Sequence, residues 1–148
     1  MPKILKKKPN AMLLLLGEGE DRPMLEALIT KLNLSQHIIL TGNVTDVHKY
    51  LSAMDVFVLP SLYEGMPLSV IESQTNGLPC TISDGVPQDV ILTDLVRSLS
   101  LLDSEDIWVD AICNSKRNTP GIYEEKINAL GLDSQKMVDK IFGLYSEN

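Results

Sequence analysis

Read as apolar and polar positions, the chain alternates short hydrophobic runs with longer amphipathic stretches. Ala11 to Leu16 is a first strand. Its run Met12-Leu13-Leu14-Leu15-Leu16 is apolar on both faces, as in a sheet covered on both sides. His37 to Thr41 is a second, rich in β-branched residues. Asp55 to Leu59 is a third, ended by Pro60, which has no N–H for a central sheet. Leu78 to Ser83 and Arg97 to Leu102 are two more. Between them helical spacing predicts a helix from about Asp21 to Leu32, and another capped by Thr45 or Asp46 and running to about Ala53. A third opens at Pro67, with Leu68, Ile71, Thr75 and Leu78 on one face, and Gly77 and Pro79 stop it. A fourth starts at Asp103 to Asp106 and buries Trp108, Val109 and Ile112.

The two ends carry less pattern. Met1 to Asn10 reads as the tail of a helix and a turn, with Lys6, Lys7 and Lys8 suited to a helix C-terminus. After Lys116, Asn118-Thr119-Pro120-Gly121 is a turn. Ile122 to Leu130 and Ser134 to Tyr145 then form two amphipathic helices, the second with Val138, Ile141, Phe142 and Tyr145 in one stripe.

Strands alternating with helices imply an α/β fold: a Rossmann-like parallel sheet with helices on both faces. Ligands of such sheets sit at the C-terminal strand ends. The Gly17-Glu18-Gly19-Glu20 turn, the Gly42-Asn43-Val44-Thr45-Asp46 loop and the loop bearing Glu64 all follow strands and share that edge. The Gly17 turn is Gly-rich but not a full dinucleotide fingerprint, and a tight strand-to-helix turn is reason enough for its glycines. Capping is the ordinary role of Asp46, and turn formation that of Asp84.

The most informative stretch is Pro60-Ser61-Leu62-Tyr63-Glu64-Gly65-Met66-Pro67-Leu68-Ser69-Val70-Ile71-Glu72. Two carboxylates, Glu64 in the loop and Glu72 in the helix, frame free N–H groups at a helix start. Those amides suit a phosphate, and ionised carboxylates, being acceptors only, suit hydroxyl groups. Helical side chains lean toward their own N-terminus, so Glu72 is expected to reach back over the Glu64 loop. Phosphate plus polyol suggests a nucleotide sugar. The plainer alternative is a dipole partner and a solvated face.

Composition narrows the choices. The chain has 148 residues, enough for one domain with a real core. Its net charge of −7 argues against a nucleic-acid partner. No apolar run approaches membrane-spanning length, and no signal-peptide pattern is present. Cys80 and Cys113 form no framework, which fits a reduced, cytoplasmic protein. His37 and His48 are isolated, so no zinc site is expected, and Trp108 reads as core rather than as a stacking platform.

The order strand, Pro60-Ser61, loop, Glu64-Gly65, helix, Glu72, then Gly77-Leu78-Pro79, resembles the E-x7-E element of group 1 (family 4) retaining glycosyltransferases. The resemblance is to their C-terminal, nucleotide-sugar-binding domain and covers about Asn10 to Tyr145. It implies residues 1–148 as a single donor-binding domain of a two-domain GT-B enzyme, whose N-terminal acceptor domain lies outside this sequence. Glu64 would be the catalytic carboxylate, bonding the sugar hydroxyls. Gly65, Met66, Leu68 and Ser69 would offer backbone N–H groups to the phosphates, with Met66-Pro67 standing where relatives often have Phe-Gly. Glu72 would bind the ribose, Gly17 would face the donor, and Val44 and Asp46 would lie at the base. The implied reaction moves a hexose from a nucleoside diphosphate sugar to a saccharide or lipid-linked acceptor with retention, in exopolysaccharide or capsule synthesis. The family's basic Arg…Lys pair would lie upstream of this sequence, so the isolated chain is expected to bind without turnover. No cofactor or metal is implied, and no Asp-x-Asp motif adjoins the loop. Two other readings are a non-catalytic Rossmann-like nucleotide-binding or interaction module, and half of a nucleotide-sugar epimerase.

Overall fold

A computed structural model describes residues 1–119 and 121–129. Five strands alternate with helices: α1 (Pro2–Lys7), β1 (Leu13–Leu16), α2 (Arg22–Lys31), β2 (Ile38–Gly42), α3 (Val47–Ala53), β3 (Phe57–Leu59), α4 (Leu68–Thr75), β4 (Cys80–Ser83), β5 (Val96–Leu99), α5 (Glu105–Asn114) and α6 (Ile122–Ala129). A 3-10 turn spans Gln88–Val90. The amphipathic helix expected over Ser134 to Tyr145 lies outside the described residues.

All strand pairs are parallel, with helices on both sides, so the architecture is α/β and Rossmann-like. The sheet is in two pieces, β1–β2 and β3–β4–β5. In the first, Leu13 to Leu15 lie beside Ile38 to Leu40. In the second, Phe57 to Leu59 lie beside Cys80 to Ile82, and Cys80 to Ser83 beside Val96 to Leu99.

The core belongs to the three-stranded piece. Val70 and Ile71 of α4, Cys80 and Ile82 of β4, Val86, Val90 and Ile127 form one buried cluster, with Phe57, Leu59, Ile91, Leu92 and Val96 packed against it. The buried face of α4 is Val70, Ile71, Ser73 and Gln74. The expected stripe through Leu68 is therefore corrected: Leu68 is 57% exposed, because α4 turns the 70/71/73/74 side toward β3 and β4. Pro67 is also corrected, from first helical residue to N-cap. Its extended backbone ends the loop, and its carbonyl accepts from Val70 N–H at 3.1 Å. Gly77 takes φ 67°, the left-handed conformation that closes a helix.

Gln74 is fully buried and fully used. Its Nε2 donates to the carbonyls of Val70 and Val90, and its Oε1 accepts from the N–H groups of Leu92 and Thr93 and the Thr93 hydroxyl. One side chain thus fixes the 88–93 segment against α4. Arg117 does similar work outside the sheet. Its guanidinium donates to the Leu51 and Met54 carbonyls at the end of α3 and to the Asn76 carbonyl at the end of α4. These carbonyls are the ones a helix C-terminus leaves open.

On the opposite side α1 is tied to α5 by charge: Lys3 meets Glu105 and Asp106, and Lys7 meets Asp110. Hydrogen bonds to these carboxylates hold both ammonium groups above the usual lysine range. Trp108 is half-buried, and its Nε1–H donates to the Ser100 carbonyl at 3.0 Å. Ile112 is only half-buried, whereas Val109 and Ala111 are buried. His37 bonds the Ala11 carbonyl through Nδ1.

Candidate functional site

The three loops predicted to share the C-terminal strand edge begin where β1, β2 and β3 end. Two of them touch. Gly17 N–H donates to the Gly42 carbonyl at 2.9 Å, joining the β1 and β2 loops in an isolated bridge. Gly42 has φ 70°, and a Cβ there would meet Glu18 Oε1 at 2.8 Å. Glu18 is paired with Arg22, whose guanidinium is held above its usual range, chiefly by the hydrogen bond to Glu26 and then by the charge of Glu18. The charge of Glu18 is thereby paired, whereas Glu20 and Asp21 in the same turn have no ion-pair partner among the described residues.

The β3–α4 loop carries the carboxylate expected at the reacting face. Glu64 is half-buried, and its Oε1 accepts from Ser61 Oγ at 2.7 Å. After it, Gly65 is exposed, and so are Met66 and Leu68, each at 57%. The backbone N–H groups of Gly65, Met66, Leu68 and Ser69 have no hydrogen-bond partner among the described residues. Those of Leu68 and Ser69 open α4, so its positive end is presented together with them.

The second carboxylate, Glu72, belongs to α4. It lines a groove of about 450 Å³ between α3 and α4, together with Thr45, Val47, His48, Leu51, Thr75 and Asn76. Glu64 is not part of that groove's wall. Glu64 is held by Ser61 in the loop before α4, and Glu72 stands within α4 beside α3. Val44 is half-buried in the loop above. Asp46 sits at the N-cap position of α3 but makes no side-chain cap. Its carboxylate is drawn instead to Lys49 Nζ at 2.7 Å, which corrects the capping role expected for it.

Several groove residues were not singled out by sequence reasoning. Thr45 had been read only as a cap, His48 as an isolated surface residue, and Thr75 as part of an apolar stripe. The available signal for Thr75 was its spacing: Glu72 and Thr75 are three apart and share a helix face. A second hollow of about 290 Å³ lies between α2 and β2, lined by Arg22, Glu26, Ile29, Thr30, Ser35, Ile38 and Leu40, and contains none of the loop residues. No group of His, Cys, Asp and Glu able to hold a metal ion occurs among the described residues. No described helix is long and apolar enough to cross a membrane.

Comparison with known proteins bears on the family and the fold. EpsF of Bacillus subtilis (strain 168), which carries a glycosyltransferase name, is 33% identical over 138 residues, covering 90% of this chain and 36% of EpsF. The UDP-Gal:α-D-GlcNAc-diphosphoundecaprenol α-1,3-galactosyltransferase of Escherichia coli is 43% identical over 77 residues, 51% of this chain and 20% of that enzyme. The chain thus spans about a third or less of these relatives' length. Among solved structures, sucrose-phosphate synthase from Thermosynechococcus elongatus superposes with a TM-score of 0.74 at 21% identity, over 98% of this chain and 40% of that one. That likeness speaks for a GT-B, Rossmann-like fold. The family model described as "Glycosyl transferases group 1" matches residues 1–106. The chain belongs to the group 1 glycosyltransferases.

Proposed function

We propose that residues 1–148 form the donor-binding domain of a two-domain, cytoplasmic retaining glycosyltransferase. It moves a hexose from a nucleoside diphosphate sugar to a saccharide or lipid-linked acceptor in exopolysaccharide or capsule synthesis. The observation that carries this reading is α4: open amides at its start, Glu64 in the loop before it, and Glu72 in the groove beside it.

The roles follow from chemistry. The amides of Gly65, Met66, Leu68 and Ser69, with the helix dipole, hold the diphosphate. They stabilise the charge that develops as the sugar–phosphate bond breaks. Glu72 accepts from the ribose hydroxyls in the α3–α4 groove, whose volume suits a nucleoside. Val44 and Asp46, the chain neighbours of the groove residue Thr45, adjoin the base, and Gly17 borders the donor from the β1 side. Glu64 accepts from hydroxyls of the transferred sugar. The acceptor domain and the basic pair that neutralises the diphosphate belong to the rest of the enzyme, so this chain alone binds but does not turn over. No metal is required by this scheme. The printed substrates of the Escherichia coli relative, a UDP-sugar and a lipid diphosphate acceptor, belong to the same chemical class.

Thermal unfolding with UDP, GDP and ADP tests the reading. A ligand at about one hundred times its Kd adds about 2.7 kcal/mol to the folded state. One nucleotide is expected to raise the midpoint, and Glu72→Ala to abolish that rise. A rise that survives Glu72→Ala overturns the assignment of Glu72. Turnover by the 148-residue chain overturns the claim that it only binds.

A further inference from the structure

The loop carrying Glu64 is anchored by the strand beside it. Ser61, the second residue after β3, uses both its polar groups. Its hydroxyl donates to Glu64 Oε1 at 2.7 Å, and its carbonyl accepts from the hydroxyl of Ser83. Ser83 is fully buried at the end of β4, where Leu59 of β3 pairs with its neighbour Ile82. Gly85, in the turn after β4, presses on the same loop. A Cβ at residue 85 would lie 2.3 Å from the Leu62 carbonyl oxygen and 2.9 Å from that of Ser61. Both are backbone atoms, so no rotamer change relieves the overlap.

We propose that Ser61 and Ser83 are positioning residues for Glu64, with Gly85 supplying the clearance that lets the β4 turn and the β3 loop close on each other. Resting on the donor-sugar role of Glu64 given above, the inference deepens it. An ionised carboxylate is an acceptor only. Occupying Oε1 with the Ser61 hydroxyl fixes the plane of the group. Oε2 has no partner among the described residues and is left for a hydroxyl of the transferred sugar. A carboxylate held this way loses less freedom on binding than one on a free loop. The buried Ser83 hydroxyl carries that order from the sheet to the loop.

The test is calorimetric binding to the 148-residue chain, using each of UDP-glucose, UDP-galactose and GDP-mannose against its own nucleoside diphosphate. The readout is the ratio of the two affinities, which reports the sugar contact and cancels loss of folded protein. Ser61→Ala is expected to lower the ratio about tenfold or more, the worth of a hydrogen bond to a charged group. The affinity for the nucleoside diphosphate itself stays within about twofold, because the α4 amides and Glu72 are untouched. Ser61→Thr, which keeps the hydroxyl, restores the ratio, and Ser83→Ala lowers it less than Ser61→Ala. If Glu64→Ala collapses the ratio and Ser61→Ala leaves it unchanged, the positioning role is wrong and the role of Glu64 stands. If Glu64→Ala also leaves it unchanged, or no donor binds, both fall.

Discussion

The two pieces of the sheet make an instructive contrast. β1 is Leu13-Leu14-Leu15-Leu16, the most apolar strand in the protein, and every one of its residues is only half-buried. β4 is Cys80-Thr81-Ile82-Ser83, half of it hydroxylated, and every residue is buried. The difference is position. β4 is the middle of three strands, with α4 and α5 packed near it. β1 pairs on one side only, and α2, which follows it, has no buried residue. Met24, Leu28 and Leu32 of α2 and Ile39 of β2 are exposed on the same half. Burial is set by neighbours on both edges and both faces, and the composition of a strand does not supply them. The loop with Glu64, the proposed sugar contact, springs from the better-packed half, which suits a site that must hold its geometry.

The contrast is open to direct attack. Ile82→Ala, in the centre of the buried piece, is expected to cost about 3–4 kcal/mol in urea unfolding, from lost transfer energy plus a cavity. Leu14→Ala, the same kind of truncation in β1, is expected to cost only about 1 kcal/mol, since that side chain is only partly buried. Equal losses would erase the distinction between the halves. Gln74→Leu follows, at about 2–3 kcal/mol, because the Val90 carbonyl and the Leu92 and Thr93 amides lose their partner inside the core. A neutral outcome would mean that water replaces the amide and that the core there is looser than its burial implies.

Cys80 gives a smaller effect with a defined sign. Burial pushes its thiol from 9.0 up to about 12. The unfolded chain therefore releases this proton before the folded one does. The contribution of the buried neutral thiol is complete below about pH 9 and is lost as pH rises toward 12. Cys80→Ala is expected to flatten the alkaline side of the stability curve, and an unchanged alkaline slope would contradict it. Smallest of all are the α1–α5 ion pairs. Lys3→Ala and Lys7→Ala are expected to leave the midpoint of thermal unfolding unchanged at moderate salt, because those side chains are solvated. A clear drop would show α1 to be a structural part of the packed half.

Much of this was legible in the sequence. Apolar runs and the stops at Pro60, Gly77 and Pro9-Asn10 located all five strands and the described helices to within a few residues. The Pro60 to Glu72 stretch announced both the loop and the family. The shortfalls have common physical causes. Periodicity finds a face of α4 but cannot choose between Leu68 and Val70 as its centre, which depends on how β3 and β4 approach. The groove that Glu72 joins could not be read from its own helix, because α3 supplies the other wall. Gln74 and Arg117 look like ordinary polar residues along the chain. Apart from the Val70 carbonyl, their partners lie 16 to 19 and 41 to 66 positions away, beyond any local pattern.

Arg117 has a mechanical meaning for the groove. Its planar fork fastens the end of α3, through Leu51 and Met54, to the end of α4, through Asn76. Leu51 and Asn76 are also groove walls, so the fastener sits at the closed end. The opposite end, where Val47 opens α3 and Leu68 opens α4, has no such tie among the described residues. Ser52 Oγ, which donates to Asn76 Oδ1 at 3.1 Å, adds a second tie at the same end. The hydrogen bonds that set the spacing of the two helices are thus gathered at one end of the groove, and stiffness is expected to fall along it from Arg117 toward Val47.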